Sequence, residues 1–254
     1  MLEIRDLTKV YNTGTVTEMT LFSHFDLTVP DGQFVSIVGS NGSGKTSLLN
    51  ILCGSIPLDG GDVLVDGQSI RRRKDFQRYA MMGRVYQNPS LGTAPNLTVL
   101  ENLSLADNKG KSFGLGRGIN RKRQEVYRQE LSGLGLGLED KLDVKMGALS
   151  GGQRQAIALL MATMTPLRFL ILDEHTAALD PRTAEAIMVL TGKLVKEKQL
   201  TALMVTHNLR YAVEYGDRLL MLDRGKLALD RSGAEKAATT TDEILQIFGQ
   251  ISMQ

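Results

Sequence analysis

Residues 39–46, Gly-Ser-Asn-Gly-Ser-Gly-Lys-Thr, match the pattern G-x-x-x-x-G-K-[ST] at every position. They follow the apolar segment 34–38, which has the composition of a strand buried on both faces. They precede a predicted helix at residues 46–52 that ends at Gly54. Glycines let successive backbone N–H groups curve around phosphate oxygens, and a helix N-terminus favours negative charge. The segment therefore predicts a strand, loop and helix that bind the phosphates of a nucleotide.

Strands and helices alternate along much of the remaining chain, which predicts an α/β fold with a mostly parallel sheet. After the N-terminal part, the predicted elements are helix 151–164, strand 169–172, helix 184–198, strand 202–206 and hairpin 219–229. Residues 1–33 read as short strands and turns. The length of 254 residues suits one α/β domain with an inserted subdomain, or two modest domains.

Residues 89–147 differ in character from the rest of the chain. They are rich in glycine and basic residues, with helical patches at 99–105 and 124–131 and no convincing strand. Within them, residues 109–123 hold six basic side chains and no acidic one. This basic run is expected to form a solvated face beside lipid or a partner protein rather than a nucleic-acid site, because the whole chain has a formal charge of only +2.

Composition excludes several other classes of protein. A single cysteine, Cys53, leaves no internal disulfide framework and fits a reducing compartment. The charged start of the sequence shows no export signal. The most apolar stretch, 156–172, is interrupted by Pro166 and Arg168 and falls short of the roughly 20 residues that a membrane span needs.

A second motif lies at the end of the predicted strand 169–172, where the acids Asp173 and Glu174 follow directly. Such a pair could simply mark where a strand meets solvent. A phosphate-loop enzyme, however, needs a carboxylate at a neighbouring strand end to hold Mg²⁺ and a base for the attacking water. We assign Asp173 to the first role and Glu174 to the second, with Lys45 on the phosphates and the Thr46 hydroxyl on Mg²⁺.

The pentapeptide 149–153, Leu-Ser-Gly-Gly-Gln, is by itself a common device for starting a helix. Placed after the phosphate loop and shortly before the acidic strand, it resembles the signature motif of the ATP-binding-cassette (ABC) ATPases. The resemblance covers nearly the whole chain. It implies a single domain over 1–254, with a nucleotide-binding core and antiparallel β subdomain at about 1–88 and 148–254, and a helical subdomain at about 89–147.

The resemblance also implies roles for residues outside these motifs. Gln87 matches the family glutamine that touches Mg²⁺ or the attacking water, and His207 matches the histidine that contacts the γ-phosphate. Tyr11 lies where the family places an aromatic ring that stacks on adenine, although tyrosine at a strand end is also routine. The expected catalytic residues are Glu174, His207 and Gln87, and the expected metal ligands are Thr46, Gln87 and Asp173. Residues 176–180, Thr-Ala-Ala-Leu-Asp, match the segment that the family calls the D-loop. The expected nucleotide contacts are Tyr11, Gly39, Ser40, Asn41, Gly42, Ser43, Gly44, Lys45, Thr46, Ser47, Ser150, Gly151, Gly152, Gln153 and Asp180.

One position departs from the family pattern, because His175 stands where proline commonly follows the catalytic glutamate. A residue that keeps its N–H and a freer φ predicts a looser turn after Glu174. The stretch from His175 onward resembles a subgroup of bacterial solute importers, some of them associated with aromatic amino acids.

The resemblance implies the ATPase subunit of a transporter whose membrane permease is a separate polypeptide. It further implies a homodimer in the ATP-bound state, import of a small solute with the help of an extracytoplasmic solute-binding protein, and a cytoplasmic position at the inner face of the membrane. No nucleic-acid partner is expected. The alternative is a mechanical ABC ATPase that drives lipoprotein release or cell division, which would share every catalytic residue. A DNA-repair or translation ATPase is disfavoured, because this chain has neither long insertions nor a second cassette.

Overall fold

The structure is a computed structural model that describes residues 1–111 and 118–252. The strands are β1 (Leu2–Tyr11), β2 (Met19–Val29), β3 (Phe34–Gly39), β4 (Gly60–Val65), β5 (Gln68–Ser69), β6 (Met82–Val85), β7 (Phe169–Asp173), β8 (Ala202–Val205), β9 (Arg218–Asp223) and β10 (Lys226–Ser232). The α-helices are α1 (Lys45–Cys53), α2 (Asp75–Met81), α3 (Val99–Asp107), α4 (Gln124–Ser132), α5 (Gly151–Thr163), α6 (Pro181–Glu197), α7 (Leu209–Glu214), α8 (Gly233–Ala238) and α9 (Thr241–Ser252).

The strand before the glycine-rich loop lies inside a six-stranded sheet of order β10-β9-β3-β8-β7-β6. β3 pairs in parallel with β8 and β9, and β7 pairs in parallel with β6 and β8. Only β10 runs antiparallel in this sheet, as the second strand of the hairpin with β9. Because parallel strands end at the same edge, the carboxyl ends of β3, β7 and β8 bring the glycine-rich loop, Asp173 and His207 together. The predicted α/β class with a mostly parallel sheet is confirmed.

A second, four-stranded sheet of order β2-β1-β4-β5 is antiparallel throughout. Its apolar side chains and those of α1 share one buried cluster with one face of the central sheet. Phe22 on β2 and Leu49 on α1 are both completely buried in it. The N-terminal antiparallel β subdomain is thus confirmed, and it encloses α1 between two sheets.

The other face of the central sheet is covered by helices. Side chains of α3, α4, α5 and α6 form a second buried cluster with β6, β7 and β8, around the fully buried Tyr127 and Leu170. Between β6 and α5, the described residues contain helices and a single isolated β-bridge, Thr98 to Lys145. The predicted helices at 99–105 and 124–131 lie within α3 and α4.

The basic run at 109–123 is not wholly a solvated face, and its residues 112–117 lie outside the described ones. Asp107 on α3 is buried, and Arg123 and Lys111 approach its carboxylate to 3.2 and 3.7 Å. Lys109 donates to the carbonyl of Met82, and burial lowers the pKa of this lysine to about 8. Three of the basic residues therefore hold the helical segment to itself and to the core.

One predicted bound moved, and three short helices were missed, for identifiable reasons. α6 starts at Pro181 rather than at residue 184, because Asp180 accepts a hydrogen bond from the backbone N of Thr183 and proline is favoured at the first helical position. The short helices α2, α7 and α8 were not predicted from the sequence, since six or seven residues carry too little periodicity. Among the described helices, none is both long enough and apolar enough to cross a membrane.

Candidate nucleotide-binding site

The glycine-rich loop joins the carboxyl end of β3 to the amino end of α1. Gly44 precedes the first residue of α1 with φ of 107°, a left-handed value that side chains with a Cβ rarely adopt. The backbone can therefore turn sharply into α1 at this residue. The first N–H groups of a helix lack partners within it, so this turn directs donors and the positive end of the helix dipole to one place.

Lys45 is held inside the curve of this loop. Its Nζ donates to the carbonyls of Gly39 and Ser40, each at 2.8 Å, and its side chain is buried. Burial lowers the pKa of Lys45, and the nearby carboxylate of Glu174 acts in the opposite direction. The ammonium is thus placed where phosphate oxygens would meet the loop.

A cleft of about 460 Å³ opens at the loop. It is lined by Tyr11, Asn12, Met19, Leu21, Asn41, Gly42, Ser43, Gly44, Lys45, Thr46, Ser47, Glu174 and His207. The hydroxyl of Tyr11 lies 3.2 Å from that of Ser47. A larger cavity of about 770 Å³ lies beside Phe34 and Tyr215, near the opposite ends of the strands, and no residue of the sequence motifs lines it.

The acidic residue in the cleft is paired with the histidine from the next strand. His207 follows β8, and its Nε2 lies 2.7 Å from Oε1 of Glu174. Glu174 has φ of 48°, an uncommon value for a residue with a side chain and one that costs backbone energy. A hydrogen bond from its backbone N to the carbonyl of Val205, 3.0 Å, holds this turn against β8. The glutamate is thereby fixed toward the phosphate side of the cleft.

Asp173, the last residue of β7, contacts a residue that sequence reasoning missed. Nη2 of Arg84 donates to Oδ2 of Asp173 at 2.6 Å, and both side chains are largely buried. An arginine inside the short apolar strand β6, three residues before Gln87, was the available signal. Arg84 does not line the nucleotide cleft; it approaches Asp173 from the neighbouring strand.

Gln87 follows β6 and is exposed, outside the lining of the cleft. The carbonyl of the preceding Tyr86 accepts a hydrogen bond from Nε2 of Gln155 on α5, 3.1 Å. Gln87 thus lies beside the anchored end of β6 but does not reach the nucleotide cleft.

The pentapeptide 149–153 forms the start of α5. Ser150 caps the helix by accepting from the backbone N of Gln153, and the Gln153 side chain accepts from the backbone N of Ser150. Gly152 packs so closely on α6 that a Cβ there would lie 2.2 Å from Cγ2 of Thr183. Ser150, Gly152, Gln153 and Thr183 line a cleft of about 380 Å³ that shares no residue with the nucleotide cleft. The structure therefore does not bring the two groups of predicted nucleotide contacts together within one chain.

Asp180 is the N-cap of α6 and lies in neither cleft. Hydrogen bonds from Thr183 lower the pKa of its carboxyl group. Its observed role within the chain is to begin α6.

The turn after Glu174 is not loose, contrary to the expectation from the missing proline. His175 is buried, and its Nε2 lies 3.0 Å from Oγ1 of Thr191 on α6. The Thr191 hydroxyl in turn donates to the carbonyl of Ile187 at 2.7 Å. The imidazole points into α6 and away from the cleft, so it anchors the turn that a proline would otherwise stiffen.

Three comparisons bear on this site. The ABC transporter family model matches residues 22–177. The chain is 45% identical to the tyrosine transport ATP-binding protein of Clostridioides difficile (strain R20291), over 98% of each chain. It is 32% identical to the thiamine import ATP-binding protein ThiQ of Histophilus somni (strain 129Pt), over 80% of this chain and 89% of that one. A dimeric ATP-binding cassette in a post-hydrolysis state bound to ADP and Pi has 30% identity and a TM-score of 0.76, covering 91% of this chain and 98% of that one.

Proposed function

The chain belongs to the ABC transporter family and is an ATP-binding, ATP-hydrolysing subunit, and we propose that it powers the import of a small amino-acid-like solute through a separate membrane permease. The observation that carries the proposal is the single cleft that holds the phosphate loop, Lys45, Glu174 and His207. The 45% identity to a tyrosine transport ATP-binding protein supports the class of solute.

We assign roles to the residues of this cleft as part of the proposal. Lys45 and the N–H groups at the start of α1 bind the phosphates, and the ring of Tyr11, which also lines the cleft, stacks on adenine. Glu174 accepts a proton from the attacking water, and His207, within hydrogen-bond distance of it, orients that carboxylate and contacts the γ-phosphate. Gln87 would have to move into the cleft to reach the nucleotide.

The donor set fits a magnesium ion that arrives with ATP. Thr46 is exposed in the cleft at the first turn of α1. Asp173 ends β7, which is separated from β3 by β8, and its side chain does not line the cleft itself. Magnesium bound to nucleotides takes one or two protein ligands and completes its shell with phosphate oxygens and water. The ion neutralises charge on the phosphates, and Thr46 and Asp173 would hold it.

A complete site requires a second copy of the chain. The 149–153 segment presents a serine and the N-terminus of the 13-residue helix α5, which suit a γ-phosphate, but it lies in a cleft of its own. We infer a homodimer in which this cleft of one copy closes on the nucleotide of the other. Asp180, at the start of α6 beside it, then lies at the contact between copies.

The permease contact is assigned to the groove between the core and the helical subdomain at residues 89–147. This groove of about 570 Å³ is lined by Tyr86 from the core and by Leu91 and Leu105 from the helical part. Leu91 is 69% exposed and Leu105 43%, an apolar surface that suits a protein partner. The groove adjoins Gln87. The permease would therefore contact the chain beside the glutamine that would have to move into the nucleotide cleft. Binding there places the chain at the inner face of the membrane.

The function can be tested by isolating the tagged chain from membranes of its own cells together with its partners. A multi-span permease and a solute-binding protein should copurify, and the reconstituted complex should take up labelled tyrosine in an ATP-dependent manner. Leu91→Asp combined with Leu105→Asp should abolish copurification while ATP binding remains, and Leu245→Asp, also on an exposed apolar side chain, should have no effect. Copurification with a membrane protein that transports no solute would favour the mechanical ATPase instead.

A further inference from the structure

Arg84 is a charged side chain buried beside the candidate site. It is 9% exposed, its partner Asp173 is 15% exposed, and the two meet at 2.6 Å. Removing two charges from water is expensive, and their attraction often only offsets that cost. Such a pair is therefore weak evidence for a role in stability alone, and its position at the end of β7 suggests a role in the site.

The same guanidinium group reaches the helix after the phosphate loop. Nη1 of Arg84 donates to Oδ1 of Asn50 on α1 at 2.9 Å. Asn50 is four residues after Thr46, so the two side chains lie on the same face of α1. The guanidinium also lies over the ring of Tyr86, 4.6 Å from its centre, which fixes its plane. One side chain thus connects both elements that carry the proposed magnesium ligands.

The hydrogen bond from Arg84 gives the two carboxylate oxygens of Asp173 different surroundings. Arg84 occupies Oδ2, and among the described residues no hydrogen bond reaches Oδ1. Since the two oxygens share one rigid plane, holding Oδ2 also sets the direction of Oδ1. Oδ1 is then the oxygen available to magnesium or to a water bound to it.

We propose that Arg84 is a positioning residue, which orients Asp173 and the Thr46 face of α1 so that the nucleotide binds with its magnesium ion. The inference rests on the proposed function. Groups that hydrogen-bond a metal ligand commonly account for about ten- to a hundredfold in metal affinity. The part of the ATP affinity that depends on magnesium should therefore fall when Arg84 is changed.

The test measures ATP affinity by calorimetry, in the Glu174→Gln background to prevent turnover, with excess Mg²⁺ and with EDTA. The ratio of the two affinities is the magnesium gain. Arg84→Gln should lower this gain about ten- to a hundredfold with little change in EDTA, and Arg84→Lys should lie between. The matched control is Arg78→Gln, which removes another buried arginine that donates to backbone carbonyls, including that of Ile51 on α1. It should keep the full gain.

Arg84→Gln leaves the largely buried carboxylate of Asp173 without its partner, which could destabilise the fold. A double-mutant cycle separates that effect from a loss of positioning. Asp173→Asn should lower the gain at least as far as Arg84→Gln does while leaving a measurable remainder, and adding Arg84→Gln to it, which removes both charges, should cause no further loss. An unchanged or increased gain in Arg84→Gln would overturn the proposal, as would losses that multiply in the double variant or a full gain in Asp173→Asn. If the Glu174→Gln protein with Arg84 intact binds no ATP, the proposed function itself fails. If that protein and its Arg84→Gln variant show the same magnesium gain, only the positioning role of Arg84 is rejected.

Discussion

Nε2 of His207 lies 2.7 Å from Oε1 of Glu174, although the two residues follow different strands of the central sheet. The pair joins the proposed general base to the proposed γ-phosphate contact. A base held in this way needs little rearrangement when the attacking water arrives.

Glu174→Gln should bind ATP but hydrolyse it at least about a hundredfold more slowly, which is the scale of a lost general base. Phosphate release and nucleotide binding, measured on the same preparation, separate the two effects. Glu185→Gln, on α6 and paired with Arg210, is the matched control and should keep normal turnover. Near-normal hydrolysis by Glu174→Gln would show that another residue is the base.

Lys45→Ala should abolish tight ATP binding, because the phosphates lose the one side-chain ammonium that the structure places inside the loop. Equilibrium binding of a fluorescent ATP analogue provides the measurement. Lys193→Ala removes an exposed lysine of α6 and should bind as the wild type does. Equal affinities of the Lys45 and Lys193 variants would refute the assignment of Lys45.

His175→Ala should retain most of the ATPase activity, because the imidazole faces Thr191 rather than the cleft. It should lower the free energy of unfolding by roughly 1–3 kcal/mol, the cost of leaving a buried hydrogen-bond partner unsatisfied. Thr191→Val deletes the same hydrogen bond from the other side and should behave similarly. A loss of turnover as large as that of Glu174→Gln would instead make His175 part of the site.

The stability of the protein should depend on pH through His175. Burial lowers the pKa of this histidine to about 4, from 6.5 in the unfolded chain. Below pH 6.5 His175 therefore becomes protonated in the unfolded chain but stays neutral in the folded one. Its contribution to the free energy of unfolding is complete above pH 6.5 and is lost as the pH falls toward 4. Between pH 7 and pH 5 the loss is about 2 kcal/mol.

Urea unfolding at the two pH values measures that loss. His175→Gln should show a smaller difference between pH 7 and pH 5 than the wild type. An equal pH dependence in the two proteins would mean that folding does not lower the pKa of His175.

Glu174→Gln should form dimers with Mg-ATP and stay monomeric without it, because the nucleotide would bridge the loop of one copy and the α5 start of the other. Adding Ser150→Arg places a bulky cation in the second cleft and should prevent the dimer. Ser132→Arg, at the exposed end of α4, is the matched control. Light scattering after size exclusion decides; a Glu174→Gln protein that stays monomeric with ATP but dimerises with its permease would show that the permease is required for closure.

Local patterns were sufficient for the parts of the fold that carry strong periodicity or defined motifs. The strand, loop and helix around Lys45 and the acidic end of β7 could be read from consecutive residues. Arg84 could not, because its partner Asp173 is 89 positions away and only the parallel pairing of β6 with β7 brings them together. The burial of His175 was equally hidden, since it depends on how α6 packs against the turn. The roles assigned to the site residues stay predictions, and Asp173, Gln87 and Asp180 lie outside the lining of the nucleotide cleft.

The separation of the two clefts has a genetic consequence. Ser150 and Lys45 of one chain would serve different nucleotides, so an assembly of one intact copy and one copy damaged at Lys45 would lose one of its two sites. In a cell that produces intact and damaged chains together, random pairing would leave most assemblies with at least one damaged member. A variant such as Lys45→Ala should then be dominant over the intact gene, even though the chain it encodes still folds.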